Sequence, residues 1–179
     1  EIRIDDKHQR YVQLLDRVKG LEPIPTAVAH PCDEESLKGP VQAFQAGIIE
    51  PILVGPENKI RAVAEEFGID LHGIRIVHAA HSHDSAALAV SLVRTGDAEA
   101  LMKGSLHSDE IMAAVVKRDA GLRTSRRISH CFIMDVPAID RVVIITDAAV
   151  NIFPTLEDKL HIVQNAIDMA LALGLQQAK

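Results

Sequence analysis

The chain has 179 residues, 47% of them hydrophobic and 25% charged, with a net charge of -6. That length suits one large domain or two small lobes, and the mixture is that of a globular protein rather than a disordered chain or a coiled coil. Aromatic residues make up 3% and Trp is absent, so no nucleic acid is expected as a partner. No stretch approaches the roughly 20 apolar residues of a membrane span, and the polar start Glu1–Arg10 is unlike a signal peptide, so a cytoplasmic protein with no membrane partner is expected.

In chain order, Asp5–Lys19 spaces Tyr11, Leu14, Leu15 and Val18 as an amphipathic helix that Gly20 ends. Pro23 and Pro25 break the chain before a short buried strand, Thr26–His30. Helix then alternates with strand: Val41–Ala46, Ile52–Val54, Glu57–Phe67, Ile74–Val77, Asp84–Arg94, Ala100–Met102 and Ser108–Lys117. Pro40 is placed in the first turn of a shortened second helix, where its missing N–H is harmless. Such alternation predicts an α/β fold, a largely parallel sheet with helices on both faces.

Two runs joined by a Pro-containing turn, Ile128–Met134 and Val142–Thr146, read as an antiparallel pair at a crossing between lobes. The expected lobes are 1–137 and 138–179. A final helix, Leu156–Leu173, has Thr155 and Asp158 at capping spacing, Leu160, Val163, Ile167 and Leu171 on one face, and Gly174 at its end. The chain stops where another strand is expected, which suggests a truncated protein. Cys32 and Cys131 lie in no metal or redox spacing and read as reduced core residues.

In an open parallel sheet the ligand lies beyond the carboxyl ends of the strands. The richest such junction is Met102-Lys103-Gly104-Ser105-Leu106-His107-Ser108-Asp109, which brings an ammonium, hydroxyls and an imidazole to a helix N-terminus. Free amides and the helix dipole make that an anion site; the alternative is an ordinary turn capped by Ser108 with Lys103 in solvent. The Lys-Gly-Ser order is not that of a Walker loop. Either one of Arg123, Arg126 and Arg127 completes the anion site through guanidinium contacts or the three form a solvated basic loop. His78, His81, His83 and Asp84 sit within seven residues, but Ser82 or Asp84 serves equally well as a helix cap, and no metal is assigned. Asp147 either orients a substrate or ties its turn with hydrogen bonds.

Several of these pieces occur together and in order: Met102-Lys103-Gly104, Gly121-Leu122-Arg123-Thr124, Ser129-His130, and Ile145-Thr146-Asp147-Ala148-Ala149-Val150-Asn151-Ile152 with Pro154-Thr155-Leu156. From about Pro25 to Gly174 the chain resembles the phosphate acetyl/butyryl transferases. Pro25–Asp33 and Met102–His107 look most like the acyltransferase half of fusions with an N-terminal enoyl-CoA hydratase domain, a domain not found in this sequence. The resemblance implies a fold similar to isocitrate and isopropylmalate dehydrogenases, here without its C-terminal part, a cleft active site and a homodimer. It implies the reaction of acyl-CoA with phosphate to give acyl phosphate and coenzyme A, a substrate rather than a cofactor, with no metal or redox cofactor. Lys103, Gly104, Ser105, His107, Ser108, Arg123 and Asn151 are then expected to bind phosphate or substrate, and Asp147 to act in catalysis. Two departures stand out: Ala113 replaces a basic residue frequent in the family, and the family's proposed catalytic Ser, Arg and Asp fall in a C-terminal segment with no counterpart here. Two other readings are a non-catalytic fragment that binds coenzyme A or dimerises, and a decarboxylating dehydrogenase of the same fold, which would need an acidic metal cluster.

Overall fold

The computed structural model of the protein describes residues 9–136, 139 and 142–175. Its elements are α1 (Gln9–Val18), β1 (Ile24–Ala29), α2 (Glu34–Gln45), β2 (Ile49–Gly55), α3 (Glu57–Phe67), β3 (Arg75–His78), α4 (Ser82–Thr95), β4 (Ala100–Lys103), α5 (Ser108–Val115), β5 (Phe132–Met134), β6 (Val143–Ile145) and α6 (Leu156–Ala172). The start of the N-terminal helix at Asp5, the turn at Pro137 and the tail from Gln176 lie outside the described residues. Two compact units result: a sheet unit, Val18–Arg123, and a flanking unit made of the described residues on either side of it.

In the sheet unit, β1 to β4 are parallel, in the order β3-β2-β1-β4. Successive strand residues point to opposite faces, so neighbouring strands present matched apolar rows on both. Ala27, Ala29, Ile52 and Val54 meet Ala86 and Ala89 of α4 and Ile111 of α5. Val28 and Leu53, which are adjacent in register, meet Leu37 of α2 and Ile60 and Ala64 of α3. Helices therefore cover both faces, and the near-continuous apolar strands are those of a sheet buried on both sides. Burying a side chain such as Leu53 stabilises the fold by about 1.5–3 kcal/mol.

From β1 the chain steps through α2 to β2 and through α3 to β3, always in one direction across the sheet. Helix α4 then runs along the other face and returns the chain to the opposite edge of β1, where β4 pairs Val28 with Met102. This reversal places a topological switch point between β1 and β4.

Helix α2 starts earlier than expected. Asp33 caps it, accepting the Ser36 amide at 2.9 Å while Ser36 answers with its own hydroxyl; a hydroxyl stands where the usual capping box has Glu or Gln. Pro40 consequently lies inside the helix, not in its first turn. Leu37, Pro40 and Val41 form the buried stripe, so the ring supplies apolar contact that compensates for the absent hydrogen bond. Neither Ser82 nor Asp84 caps α4: the cap position is His81, Ser82 is the first helical residue, and Ser82 donates its hydroxyl to Glu110 at 3.1 Å.

In the flanking unit β5 and β6 pair antiparallel as expected, Phe132 opposite Ile145 and Met134 opposite Val143. The two strands lie on either side of residue 137, the expected lobe boundary. Thr155 and Asp158 form the anticipated capping box at the start of α6, and near its end Leu173 accepts a hydrogen bond from Arg17 of α1 at 2.6 Å. The apolar face of α6 made by Leu160, Val163, Ile167 and Leu171 is exposed, and Ile162 and Ala170 are the helix's buried residues. Both cysteines are free thiols and half-buried rather than in the core.

Candidate functional site

The carboxyl ends of β1 and β4 are stitched together at the switch point. Gly104 donates its amide to the Ala29 carbonyl at 2.8 Å, and Ser105 donates its amide to the His30 carbonyl at 2.9 Å. The Ser105 hydroxyl donates to that same His30 carbonyl at 2.9 Å and accepts from the Cys32 amide at 3.1 Å. Gly104 admits no side chain, because a Cβ there would come within 2.4 Å of the Ala29 oxygen and 2.6 Å of the His30 oxygen. His30 is the one described non-glycine residue in the left-handed region, at φ 57°. Strand β1 thus ends in a sharp turn against which the β4 turn is seated.

This seating leads directly into α5. Its cap position is His107, which makes no side-chain capping bond, and Ser108 is the first helical residue rather than the cap. Since no intrahelical carbonyl serves the first amides of a helix, this end of α5 carries donors and the positive pole of the dipole. Lys103, His107 and Ser108 are exposed around it, and Lys103 Nζ contacts only the Gly104 carbonyl, at 3.1 Å, among the described residues. Asp109 and Glu110 place carboxylates in the same first turn, but Glu110 is turned toward α4, accepting from Ser82 and lying 3.3 Å from His83. Of the residues expected to bind phosphate, Gly104 and Ser105 therefore build the turn, Ser105 while itself exposed, whereas Lys103, His107 and Ser108 face solvent without tying the two strand ends.

Arg123 belongs to the same unit but approaches from elsewhere. Gly121 donates to Lys117 at 3.0 Å and Leu122 to Val115 at 2.8 Å, so the chain folds back on the far end of α5. At 1.5 Å rise per residue this end is about 10 Å from Ser108. Arg123 has no ion-pair partner among the described residues, whereas Arg126 pairs with Asp168 and Arg127 with Asp158.

Around the switch point the titratable groups are held in defined states. Burial, assisted by Lys59, lowers the His30 imidazole below its ordinary value, with Glu110 and Asp33 opposing. Burial pushes the Cys32 thiol up to about 11, so it is a protonated, inert thiol at neutral pH. The three histidines around the start of α4 go to separate partners: His78 Nδ1 accepts from the Glu57 amide at 3.5 Å, His81 pairs with Asp84, and His83 with Glu110. Among the described residues no three His, Cys, Asp or Glu side chains converge for a metal ion.

Asp147 and Asn151 lie in the flanking unit, in the turn after β6. Asp147 accepts from the amides of His130 at 3.0 Å, Val150 at 3.2 Å and Asn151 at 2.8 Å, and from the Asn151 side chain. Burial works to raise its carboxyl, but these donors outweigh it and hold the group at about 2. Asn151 extends the network, accepting from Arg127 Nε at 2.7 Å and donating to the Ile128 carbonyl at 3.0 Å. A carboxylate so placed orients a loop firmly and is a weak proton acceptor. Sequence reading had not found the stitching role of His30 or the scaffolding role of Arg127; both depend on contacts distant in sequence, for which the chain carries no local signal.

Comparison with known proteins adds the family. The chain is 52% identical over 165 residues to a phosphate acetyltransferase of Rickettsia prowazekii, covering 92% of this chain and 47% of that protein. It is 54% identical over 170 residues to a phosphate acetyltransferase of Rhizobium meliloti, covering 95% of this chain and 54% of that protein. It therefore spans about half the length of these relatives. The fold matches a crystal structure of a phosphotransacetylase from Streptococcus pyogenes with a TM-score of 0.76 at 17% identity, over 92% of this chain and 58% of that one. The family pattern described as "Phosphate acetyl/butaryl transferase" matches residues 79–179, more than half of the chain. The chain belongs to the phosphate acetyl/butaryl transferase family.

Proposed function

We propose that this chain contributes the phosphate-facing and coenzyme A-facing surface of a phosphate acyltransferase, which moves a short acyl group between coenzyme A and inorganic phosphate. The observation that carries the reading is the Lys103–Ser108 junction at the switch point, where an exposed ammonium precedes the uncapped start of α5. In the reaction a phosphate oxygen attacks the thioester carbonyl, the new C–O bond forms, the C–S bond breaks and coenzyme A leaves as thiolate. Two polyanions must be held together, so charge neutralisation and positioning provide much of the catalysis. No oxidation state changes, and we assign the reaction neither a metal nor a redox cofactor.

Lys103, His107, Ser108 and the first-turn amides of α5 are assigned to phosphate, with Gly104 and Ser105 shaping the turn beneath it. Arg123 enters as a second cation that reaches back along α5. Asp147 and Asn151 enter as the pair that orients the 147–151 loop, with Asp147 placed in catalysis through that loop. A cytoplasmic homodimer is part of the same reading, and the exposed apolar face of α6 offers such an assembly surface to bury; no helix among the described residues is long and apolar enough to cross a membrane.

The test is incubation of the chain with phosphate and acetyl-, propionyl- or butyryl-CoA. Phosphate-dependent release of free thiol is the expected result. A second reading, a non-catalytic module that binds coenzyme A or only dimerises, would release none.

A further inference from the structure

We propose that His30 is a positioning residue for this site: its imidazole, anchored on Ser85, fixes its own carbonyl as the post on which the Lys103-Gly104-Ser105 turn is hung. The inference rests on the anion-site reading above for its functional consequence and on the geometry alone for its mechanical part.

The His30 carbonyl accepts three hydrogen bonds, from the Cys32 amide, the Ser105 amide and the Ser105 hydroxyl, each at 2.9 Å. Aiming that oxygen at Ser105 depends on a left-handed backbone at φ 57°, a region uncommon outside Gly that Asn, Asp and His enter more readily than other residues. What retains a histidine there is its buried ring. His30 is 9% exposed, and its Nδ1 lies 3.1 Å from the hydroxyl of Ser85, which is fully buried on α4. Ser85 Oγ donates its hydrogen to the His81 carbonyl at 2.8 Å. Its lone pairs are then left to accept, which assigns the hydrogen of the ring to Nδ1. The chain of contacts runs from the α4 backbone through Ser85 to the His30 ring, then through the His30 carbonyl to Ser105, two residues after Lys103. A glycine would satisfy the backbone and lose the anchor; an asparagine would satisfy both, since it tolerates the left-handed region and its amide nitrogen stands near the place of Nδ1.

The experiment compares His30→Gly, His30→Asn and Ser85→Ala with the wild-type chain in two readouts, hydrogen exchange of the Ser105 amide and inorganic phosphate binding by isothermal titration. Loss of the anchor should speed Ser105 exchange on the order of tenfold in His30→Gly and Ser85→Ala, the size of one hydrogen bond's net contribution. Phosphate affinity should weaken by a similar factor in both, and His30→Asn should restore both readouts. Wild-type Ser105 protection in His30→Gly and Ser85→Ala overturns the inference, as does failure of His30→Asn to restore it. If the wild-type chain takes up no phosphate while the exchange pattern appears as expected, the phosphate reading fails and the tether stands.

Discussion

The two units of this chain solve the same folding problem by different means. In the sheet unit, apolar residues at the right period find partners on both faces: Val28, Leu53 and Ile60 on one, and Ala27, Val54 and Ala89 on the other, are all fully buried. In the flanking unit the apolar stripe of α6 stays exposed, with Leu160 at 64% and Leu171 at 57%. Order there comes from polar stitching, with Asp147 and Asn151 binding the β5 and β6 termini and Arg127 tied to Asn151 and Asp158. Hydrophobic burial is non-directional and large, whereas such a network is directional and marginal unless every member is satisfied.

Truncating one side chain in each unit tests the contrast most strongly. Leu53→Ala should destabilise the chain by about 2–5 kcal/mol, seen as a lower urea midpoint, whereas Leu160→Ala, in protein dilute enough to be monomeric, should change it by less than about 0.5 kcal/mol. Comparable losses in the two variants would show that the α6 face is buried in solution. Asp147→Ala is next in size: stranding the His130, Val150 and Asn151 amides should cost about 1–3 kcal/mol, with faster exchange of those amides and little change in the sheet unit.

At the site itself, Lys103→Ala should weaken phosphate binding on the order of tenfold, and Arg123→Ala by less, since Arg123 starts from the far end of α5. Equal losses in a phosphate titration would mean that the two cations meet one anion directly.

The smallest effect is on pH. Burial and Lys59 lower His30 below its ordinary 6.5, so the unfolded chain binds this proton more readily than the folded one. Stability present above pH 6.5 is therefore lost as the pH falls below it. A separate acid limb belongs to Asp147, lowered from 3.8 to about 2, whose contribution disappears as the pH falls through that interval. Thermal melts between pH 7 and 5 should show the first slope in the wild type and lack it in His30→Asn.

Much of the architecture was legible in the sequence because it is local. The alternation of helix and strand, the buried Thr26–His30 run and the Thr155–Asp158 cap each follow from residues within a few positions of one another. Helix α2 was read as too short because Pro40 was placed in its first turn, whereas burial of the ring beside Leu37 and Val41 lets the helix run through it from the Asp33–Ser36 cap. Periodicity correctly found the apolar face of α6 but carries no information on whether anything covers it. At the site, Lys103 to Ser108 could be picked out by composition at a strand end, whereas the division into members that build the turn and members that do not could not. That division depends on Gly104 and Ser105 meeting Ala29 and His30, some 75 residues away for the Ser105–His30 pair, and on a left-handed histidine that no local pattern announces.

On the proposed reading, phosphate binds where β4 enters α5 beside the end of β1. Titrating inorganic phosphate into the isotope-labelled chain and following backbone amide shifts tests it directly. Saturable shifts should gather at Lys103–Ser108 and His30–Asp33. Shifts centred on another part of the chain, or none at phosphate concentrations well above the millimolar range, would contradict it.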